Sequence, residues 1–298
     1  MRDFLWIILA YVLAILGAFL TFIFIESLID QSFYRDDGTL LMTFLIADIA
    51  ATVVVFVFSM IFRNASFYDP YWSIAPIVLA IAFLLFNDGA LFLRQIVVTL
   101  LTLIWGIRLT GNWVYRWQGI AHEDWRYVNL RRQTGLFWLP VNFLGIHVVP
   151  TVIVFLGCLS MYPALAVGTA PINWWDGLAL LITGSAIWLE TQADLELHHF
   201  RNTRKNREEI LTTGVWGWCR HPNYLGEIGF WIGLFVFGYA AQGNTSNDIA
   251  AGPISMVLLF LFVSIPMIDR KLLGNKPEYE KYKLSSFALI PFSKWIKK

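Results

Sequence analysis

The sequence predicts an all-α, polytopic membrane bundle of about eight transmembrane helices. Three observations carry that expectation. The 298 residues are 57% hydrophobic and 14% charged, and the mean hydropathy is +0.60, which excludes an ordinary soluble globule. Apolar runs recur near the ~20-residue length that crosses a bilayer as a helix. With eight spans, every Lys and Arg except Arg35 and Arg94 falls on one side, the asymmetry expected of a cytoplasmic face. Both termini are therefore expected in the cytoplasm, within a single integral membrane domain covering residues 1–298.

The expected spans are Phe4–Ile25, Leu40–Phe62, Tyr71–Phe86, Phe92–Ile107, Phe137–Ser160, Trp174–Ala193, Ile228–Ala240 and Ile254–Ile268. The third, fourth and seventh are short, so seven is the lower count. The first run is too long for the apolar region of a signal peptide and lacks a small-residue cleavage site, so it reads as a retained span. A net charge of +1 gives no reason to expect a nucleic-acid partner. Membrane lipids are the expected surroundings. Cys158 and Cys219 suggest neither a disulfide framework nor a metal site.

The first two spans carry little ionisable chemistry, and the loop between them (Glu26, Asp30, Asp36, Asp37) is acidic, as suits the outer face. Asp48, one or two turns into the second span, reads as a carboxylate in wet headgroups. The stretch Tyr68-Asp69-Pro70-Tyr71-Trp72 admits two readings. Asp69 can be the N-cap of a helix that Pro70 begins, or the carboxyl group of an aromatic-rimmed site.

The fourth span ends in Arg108, Asn112, Tyr115 and Arg116, near one another in helical register. Arginines beside amide and aromatic groups bind phosphates and stack on planar rings. The run His122 to Arg132 reads as a salt-linked loop, because no second His completes a zinc motif. In the fifth span His147 reads as a packed, hydrogen-bonded histidine and is kept as a minor site candidate.

The sixth span sets Glu190, Asp194, His198 and Arg201 on one helical face. An amphipathic helix end explains the last two, but Glu190 inside an apolar run needs a partner or a wet cavity. A basic loop through Arg204 follows. Then comes the densest polar stretch of the chain, Arg220-His221-Pro222-Asn223-Tyr224-Leu225-Gly226-Glu227, at the mouth of the seventh span. The loops 108–132, 201–227 and 269–292 are all expected on the cytoplasmic side. Together they offer arginines for phosphates, carboxylates for ribose or amide donors, and rings for stacking. No Gly-x-Gly-x-x-Gly in strand–helix context is present, which excludes a Rossmann domain as the holder of a nucleotide.

At these residues the chain resembles the steroid 5-alpha-reductase superfamily, in its bacterial-type branch known as domain of unknown function 1295. The resemblance covers roughly 67–292 and is strongest over 190–292. It implies a membrane enzyme that holds NADPH at the cytoplasmic side, in a bacterial inner membrane or a eukaryotic endoplasmic reticulum. The implied reaction reduces a carbon–carbon double bond conjugated to a carbonyl in a lipophilic, steroid-like or isoprenoid substrate. Asn223, Tyr224 and Glu227 match the family's Asn-Tyr-x-x-Glu cofactor motif. Asp194, Arg201 and Arg108 match cofactor-contacting positions, and Tyr282 with Ile290-Pro291-Phe292 resembles the C-terminal signature.

The implied cofactor set is thus Arg108, Asn112, Arg116, Glu190, Asp194, His198, Arg201, Arg204, Arg220, His221, Asn223, Tyr224, Glu227 and Tyr282, with no metal. Three departures stand out. Glu190 and His198 replace an Asn and an Arg of the steroid enzymes, Trp105 stands at their catalytic Tyr, and their Gln-Glu pair has no clean match. Asp69, Tyr68 and Tyr71 are the nearest groups able to donate to a developing enolate oxygen. A similarity of Arg220-His221-Pro222-x-Tyr224-x-Gly226 to isoprenylcysteine carboxyl methyltransferases keeps S-adenosylmethionine as the rival cofactor. A non-catalytic lipid-binding protein is the third reading.

Overall fold

A computed structural model describes residues 2–29, 37–242 and 247–291. The acidic-loop residues Asp30 and Asp36, Arg35, and Phe292 with the basic tail lie outside the described residues. Among the described residues all regular structure is helical. The α-helices are α1 (Arg2–Leu28), α2 (Asp37–Ile61), α3 (Tyr71–Leu85), α4 (Phe92–Arg116), α5 (Trp125–Thr134), α6 (Trp138–Pro140) and α7 (Val149–Leu159). They continue as α8 (Trp174–Thr203), α9 (Pro222–Gln242), α10 (Ala251–Leu259), α11 (Ile265–Asn275) and α12 (Tyr279–Ser285). A π-helical segment, Val141–Val148, joins α6 to α7, and another, Phe260–Ser264, joins α10 to α11.

Seven stretches are long and apolar enough to cross a membrane: Asp3–Leu28, Asp37–Ile61, Ala65–Leu85, Phe92–Arg116, Trp125–Val167, Pro222–Gln242 and Ala251–Asn275. The expected span missing from this set is the one in α8. At 30 residues α8 is long enough, but Asp176, Glu190 and Asp194 lower its apolarity. It nevertheless runs antiparallel beside the apolar α9, with Gly226 facing Glu190 and Gly233 facing Thr183. The described residues thus hold seven stretches of spanning length and apolarity, with α8 lying along the sixth.

The chain divides into two compact units, Met1–Ala82 with Gly106–Phe155, and Phe83–Trp105 with Leu156–Lys298. In the first unit, Ala10 and Ala14 of α1 and Ala51 and Val55 of α2 let two helices approach closely, as small residues do where no hydrophobic effect drives helices together. Phe67, Tyr68, Tyr71 and Ala75 complete that core.

The second unit is keyed by the seam between α8 and α9. A Cβ on Gly233 would lie 2.1 Å from Thr183 Oγ1, and one on Gly226 would lie 2.8 Å from Glu190 Cβ. Arg94, the exception to the charge asymmetry that the structure describes, is buried and bonded to Asp176 at 2.7 and 2.9 Å. Asp176 also completes the capping box of α8 with Asn173. Arg94 therefore acts as an internal staple rather than a charge on the outer face.

Candidate functional site

The polar centre of the second unit forms where α8 leaves its apolar stretch. Glu190 is buried, Asp194 and His198 are half-buried and Arg201 is exposed, so one helical face grades from core to water. The chain then returns through a turn that only glycine can make. Gly214 has φ +57°, and a Cβ there would lie 2.3 Å from the Glu196 carboxyl oxygens. The turn directs the Val215 N–H at those oxygens, at 3.2 and 3.0 Å, and the Trp216 indole donates to the Ala193 carbonyl at 3.0 Å.

Beyond the turn, residues 279–288 clasp the loop. The N–H groups of Arg220 and His221 donate to the carbonyls of Phe287 and Ala288, both at 3.0 Å. The Arg220 guanidinium donates to the carbonyls of Lys283 and Ser286 and, at 3.4 Å, to Asp269. His221 Nε2 lies 3.0 Å from Asp269 Oδ1, and the Tyr279 hydroxyl donates to the same oxygen at 2.5 Å. Because a carboxylate only accepts, Nε2 carries the imidazole hydrogen. Burial pushes the His221 pKa down; Asp269 opposes the shift and Arg220 adds to it. Burial lifts the phenols of Tyr279 and Tyr282 above their usual range, with Asp269 reinforcing the first and Cys219 the second. The buried Cys219 thiol is pushed up to about 11 by burial, so it is not a nucleophile at neutral pH.

The Asn-Tyr-x-x-Glu residues emerge from this clasp onto the first turns of α9. Tyr224 stacks on His221 with centroids 5.3 Å apart and packs against Phe260 at 4.8 Å. Glu227 is buried, and both its oxygens accept from indoles, Trp231 at 2.9 Å and Trp105 at 3.1 Å. Asn223 is half-buried, yet its side-chain oxygen is fully buried and has no hydrogen-bond partner among the described residues. Tyr282 donates to the Trp216 carbonyl at 2.6 Å and so ties α12 to the same loop. Lys276 sits among Arg204, Arg201 and Glu209, and burial followed by the two arginines lowers its pKa.

Of the expected cofactor residues, Glu190, Asp194, His198, Arg201, Arg204, Arg220, His221, Asn223, Tyr224, Glu227 and Tyr282 all lie in the second unit. Arg108, Asn112 and Arg116 lie on the part of α4 that belongs to the first. There Arg108 and Asn112 are half-buried and Arg116 is exposed.

The first unit also contains the expected catalytic residues, with Tyr68 and Tyr71 stacked at 5.1 Å and each of the three bonded to a different partner. Tyr68 and Tyr71 are 1% and 4% exposed. The Tyr68 hydroxyl is bonded to Thr151 at 2.7 Å and that of Tyr71 to Asp48 at 2.5 Å. Asp48 is thus not in wet headgroups. It is buried in the bundle, drawn in by the Tyr71 hydroxyl. Asp69 is not an N-cap either, because its backbone is helical at φ −53°, ψ −45°. Its carboxyl group, 16% exposed, receives the Tyr127 hydroxyl at 2.6 Å and faces Arg126 at 3.6 Å.

Tyr127 was not legible as a site residue, since the loop around it reads as salt-linked. That reading holds for its neighbours, with Glu123–Arg131 and Asp124–Arg126 pairs both at 2.8 Å. Glu196, Asp269 and Tyr279 also belong to the polar centre of the second unit, though they were not among the expected site residues. Asp269 follows an apolar run, and its partners come from distant segments.

A family model described as protein of unknown function (DUF1295) matches residues 55–286. The chain belongs to the DUF1295 family. That family is part of the steroid 5-alpha-reductase-like group, so the expected resemblance is established at the level of family. The chain is also 26% identical over 232 residues to an uncharacterized protein of Schizosaccharomyces pombe, covering 70% of this chain and 66% of that one. The alignment therefore leaves about a third of the yeast protein unmatched. No solved structure matches.

Proposed function

We propose that this DUF1295 protein is a membrane-embedded, NADPH-dependent reductase of a carbon–carbon double bond conjugated to a carbonyl in a lipidic substrate. One observation carries the cofactor part of this reading. The Asn223 side-chain oxygen, first in the family's cofactor motif, is buried without a hydrogen-bond partner among the described residues. Leaving a buried acceptor unpaired costs about 1–3 kcal/mol, and an amide or hydroxyl hydrogen of a nucleotide cofactor would remove that cost.

The cations of the same unit suit such a ligand. Arg201, Arg204 and Lys276 gather near the end of α8, and like charges repel unless an anion joins them. Glu227 takes a different role from the one its motif suggests. With both oxygens held by indoles, it fixes the first turns of α9 and so orients Asn223 and Tyr224. NADPH, when bound, supplies a hydride to the substrate β-carbon. The charge that then develops on the carbonyl oxygen needs a donor, and in the first unit the Tyr127–Asp69 pair is the partly exposed donor available. Tyr68 and Tyr71 are closed off, at 1% and 4% exposed, and only Tyr127 could turn its hydroxyl from its carboxyl partner toward a substrate.

The test is direct. Binding of NADPH, NADH and S-adenosylmethionine is measured side by side on detergent-purified protein, wild type and Asn223→Ala. NADPH binding that weakens about tenfold or more in the variant supports the reading. Binding of S-adenosylmethionine alone, or full NADPH affinity in the variant, overturns it.

A further inference from the structure

Inside the first unit two facing elements carry three buried polar side chains that do not use all their polar atoms. Asn142, His147 and Ser59 are each 1% exposed or less. Among the described residues, Asn142 Oδ1, His147 Nε2 and Ser59 Oγ have no hydrogen-bond partner. They belong to two facing elements. The Phe56 ring of α2 meets Phe143 at 4.9 Å and His147 at 5.2 Å, and Asn142 Nδ2 meets the Met60 sulfur at 3.5 Å. Ser59 lies between Phe56 and Met60 on the same helix.

The chemistry of this group can be read from its partners. His147 Nδ1 lies 2.9 Å from the Asn142 carbonyl. A carbonyl only accepts, so Nδ1 carries hydrogen and the neutral ring presents Nε2 as a bare lone pair. Asn142 Oδ1 is a second acceptor, and the Ser59 hydroxyl can both donate and accept. The backbone that presents the histidine and asparagine is π-helical over Val141–Val148, a wound form that occurs mostly as local bulges at functional sites. Around the polar atoms stand the Phe56 and Phe143 rings and that of Tyr68, whose centroid lies 5.0 Å from that of His147. An apolar, aromatic surround with a few convergent polar atoms is the usual make-up of a small-molecule site.

We infer that Ser59, Asn142 and His147 form a subsite for the hydroxyl group of a lipid alcohol. A hydroxyl answers both needs at once: its hydrogen goes to His147 Nε2 or Asn142 Oδ1, and its oxygen accepts from Ser59. A carbonyl or an ether has no hydrogen to give and pairs neither acceptor, whereas a hydroxyl pairs one of the two. The inference rests on the reductase reading and deepens it. The substrate carries a conjugated carbonyl, for which the first unit offers Tyr127–Asp69, and a free hydroxyl elsewhere on its apolar skeleton. Tyr68 follows from that arrangement as a wall residue, adjacent in sequence to Asp69 and packed on His147.

The experiment compares farnesol with farnesyl methyl ether, in which a methyl group replaces the one hydrogen at issue. Binding to the full-length protein in detergent, without cofactor, is followed by tryptophan fluorescence. Turnover plays no part, so failure here leaves the reductase reading standing, and failure of NADPH to bind leaves this result intact. Wild-type protein is expected to hold the alcohol about tenfold to a hundredfold more tightly than the ether, the cost of stranding buried acceptors. Ser59→Ala and His147→Phe are expected to erase that preference, each with a melting curve to show that it is folded; Ser59→Ala, which changes little volume, suffices if His147→Phe does not fold. Equal affinity for the two probes, or no binding of either to folded wild type, overturns the inference. So does a His147→Phe variant that melts higher and keeps the preference, which marks the group as dry core.

Discussion

Glu227→Gln is the substitution that most sharply separates a positioning role from a ligand role. Glu227 offers two acceptor oxygens and meets two donors, the Trp231 and Trp105 indoles at 2.9 and 3.1 Å. Glutamine keeps one acceptor and turns the other into a donor. One indole N–H must then face an amide NH₂ in a site where neither reaches water. Each buried donor left unpaired costs about 1–3 kcal/mol. Two such donors, less some relaxation, come to about 3 kcal/mol. Scaled as for a domain of 150–250 residues, that lowers the melting temperature by about 6–12 °C.

The assay is intrinsic-fluorescence melting in detergent, with NADPH affinity measured well below the transition. Trp105→Phe sharpens it, because removing one indole N–H removes the donor that the amide would oppose. Glu227→Gln should therefore cost less in the Trp105→Phe background than in wild type, by about 1 kcal/mol or more. If Glu227→Gln melts with wild type and the two substitutions simply add, the indole clamp is not what holds Glu227, and the positioning role assigned to it is wrong.

Other expectations follow from the same geometry. Tyr127→Phe, which removes the hydroxyl given to Asp69 at 2.6 Å, should lower kcat for enone reduction about a hundredfold with little change in KM or melting temperature; an unchanged kcat removes Tyr127 from the reaction. Gly233→Ala places a Cβ 2.1 Å from Thr183 Oγ1, should destabilise the protein by about 1–3 kcal/mol, and should be partly rescued by Thr183→Gly. Lack of rescue would mean the seam is not the cause. His221, whose pKa burial lowers, contributes a pH dependence of definite sign. Above the unfolded value of about 6.5 neither state binds the proton and stability is complete. As pH falls below it, the unfolded state takes up the proton first and stability is lost until the lower folded pKa is passed. A His221→Asn variant should show a flatter melting profile between about pH 7 and 5, and an unaltered slope would assign that titration to other groups.

Helical architecture was readable because hydropathy and span length are local properties. The upper count of eight included α8, which carries Asp176, Glu190 and Asp194 through its length and falls outside the seven apolar stretches. It packs instead on the glycine-bearing face of α9. Asp48 was misplaced for a related reason, and one of the two readings of Asp69 fell with it. Asp48 looks like a residue for wet headgroups, and Asp69 sits where an N-cap belongs. Each is claimed by a tyrosine hydroxyl, from Tyr71 23 residues away and from Tyr127 58 residues away. Sequence spacing carries no sign of a bond that only tertiary packing makes. The Asn-Tyr-x-x-Glu stretch was legible as a dense polar cluster, but the division of labour within it was not.

That division explains a departure that otherwise looks like loss of function. The resemblance sets Trp105 at the position of the steroid enzymes' catalytic tyrosine, and an indole cannot protonate a carbonyl. In this chain the indole N–H is used inward, donating to Glu227, while its ring stacks on Phe230 with centroids 4.3 Å apart. A tyrosine there would need its hydroxyl to reach the same oxygen, and a phenol directed inward to Glu227 could not also face a substrate. If reduction persists in such a chain, the proton-handling group must come from another position. Tyr127 has the required O–H, a carboxyl partner to orient it, and the partial exposure that Tyr68 and Tyr71 lack.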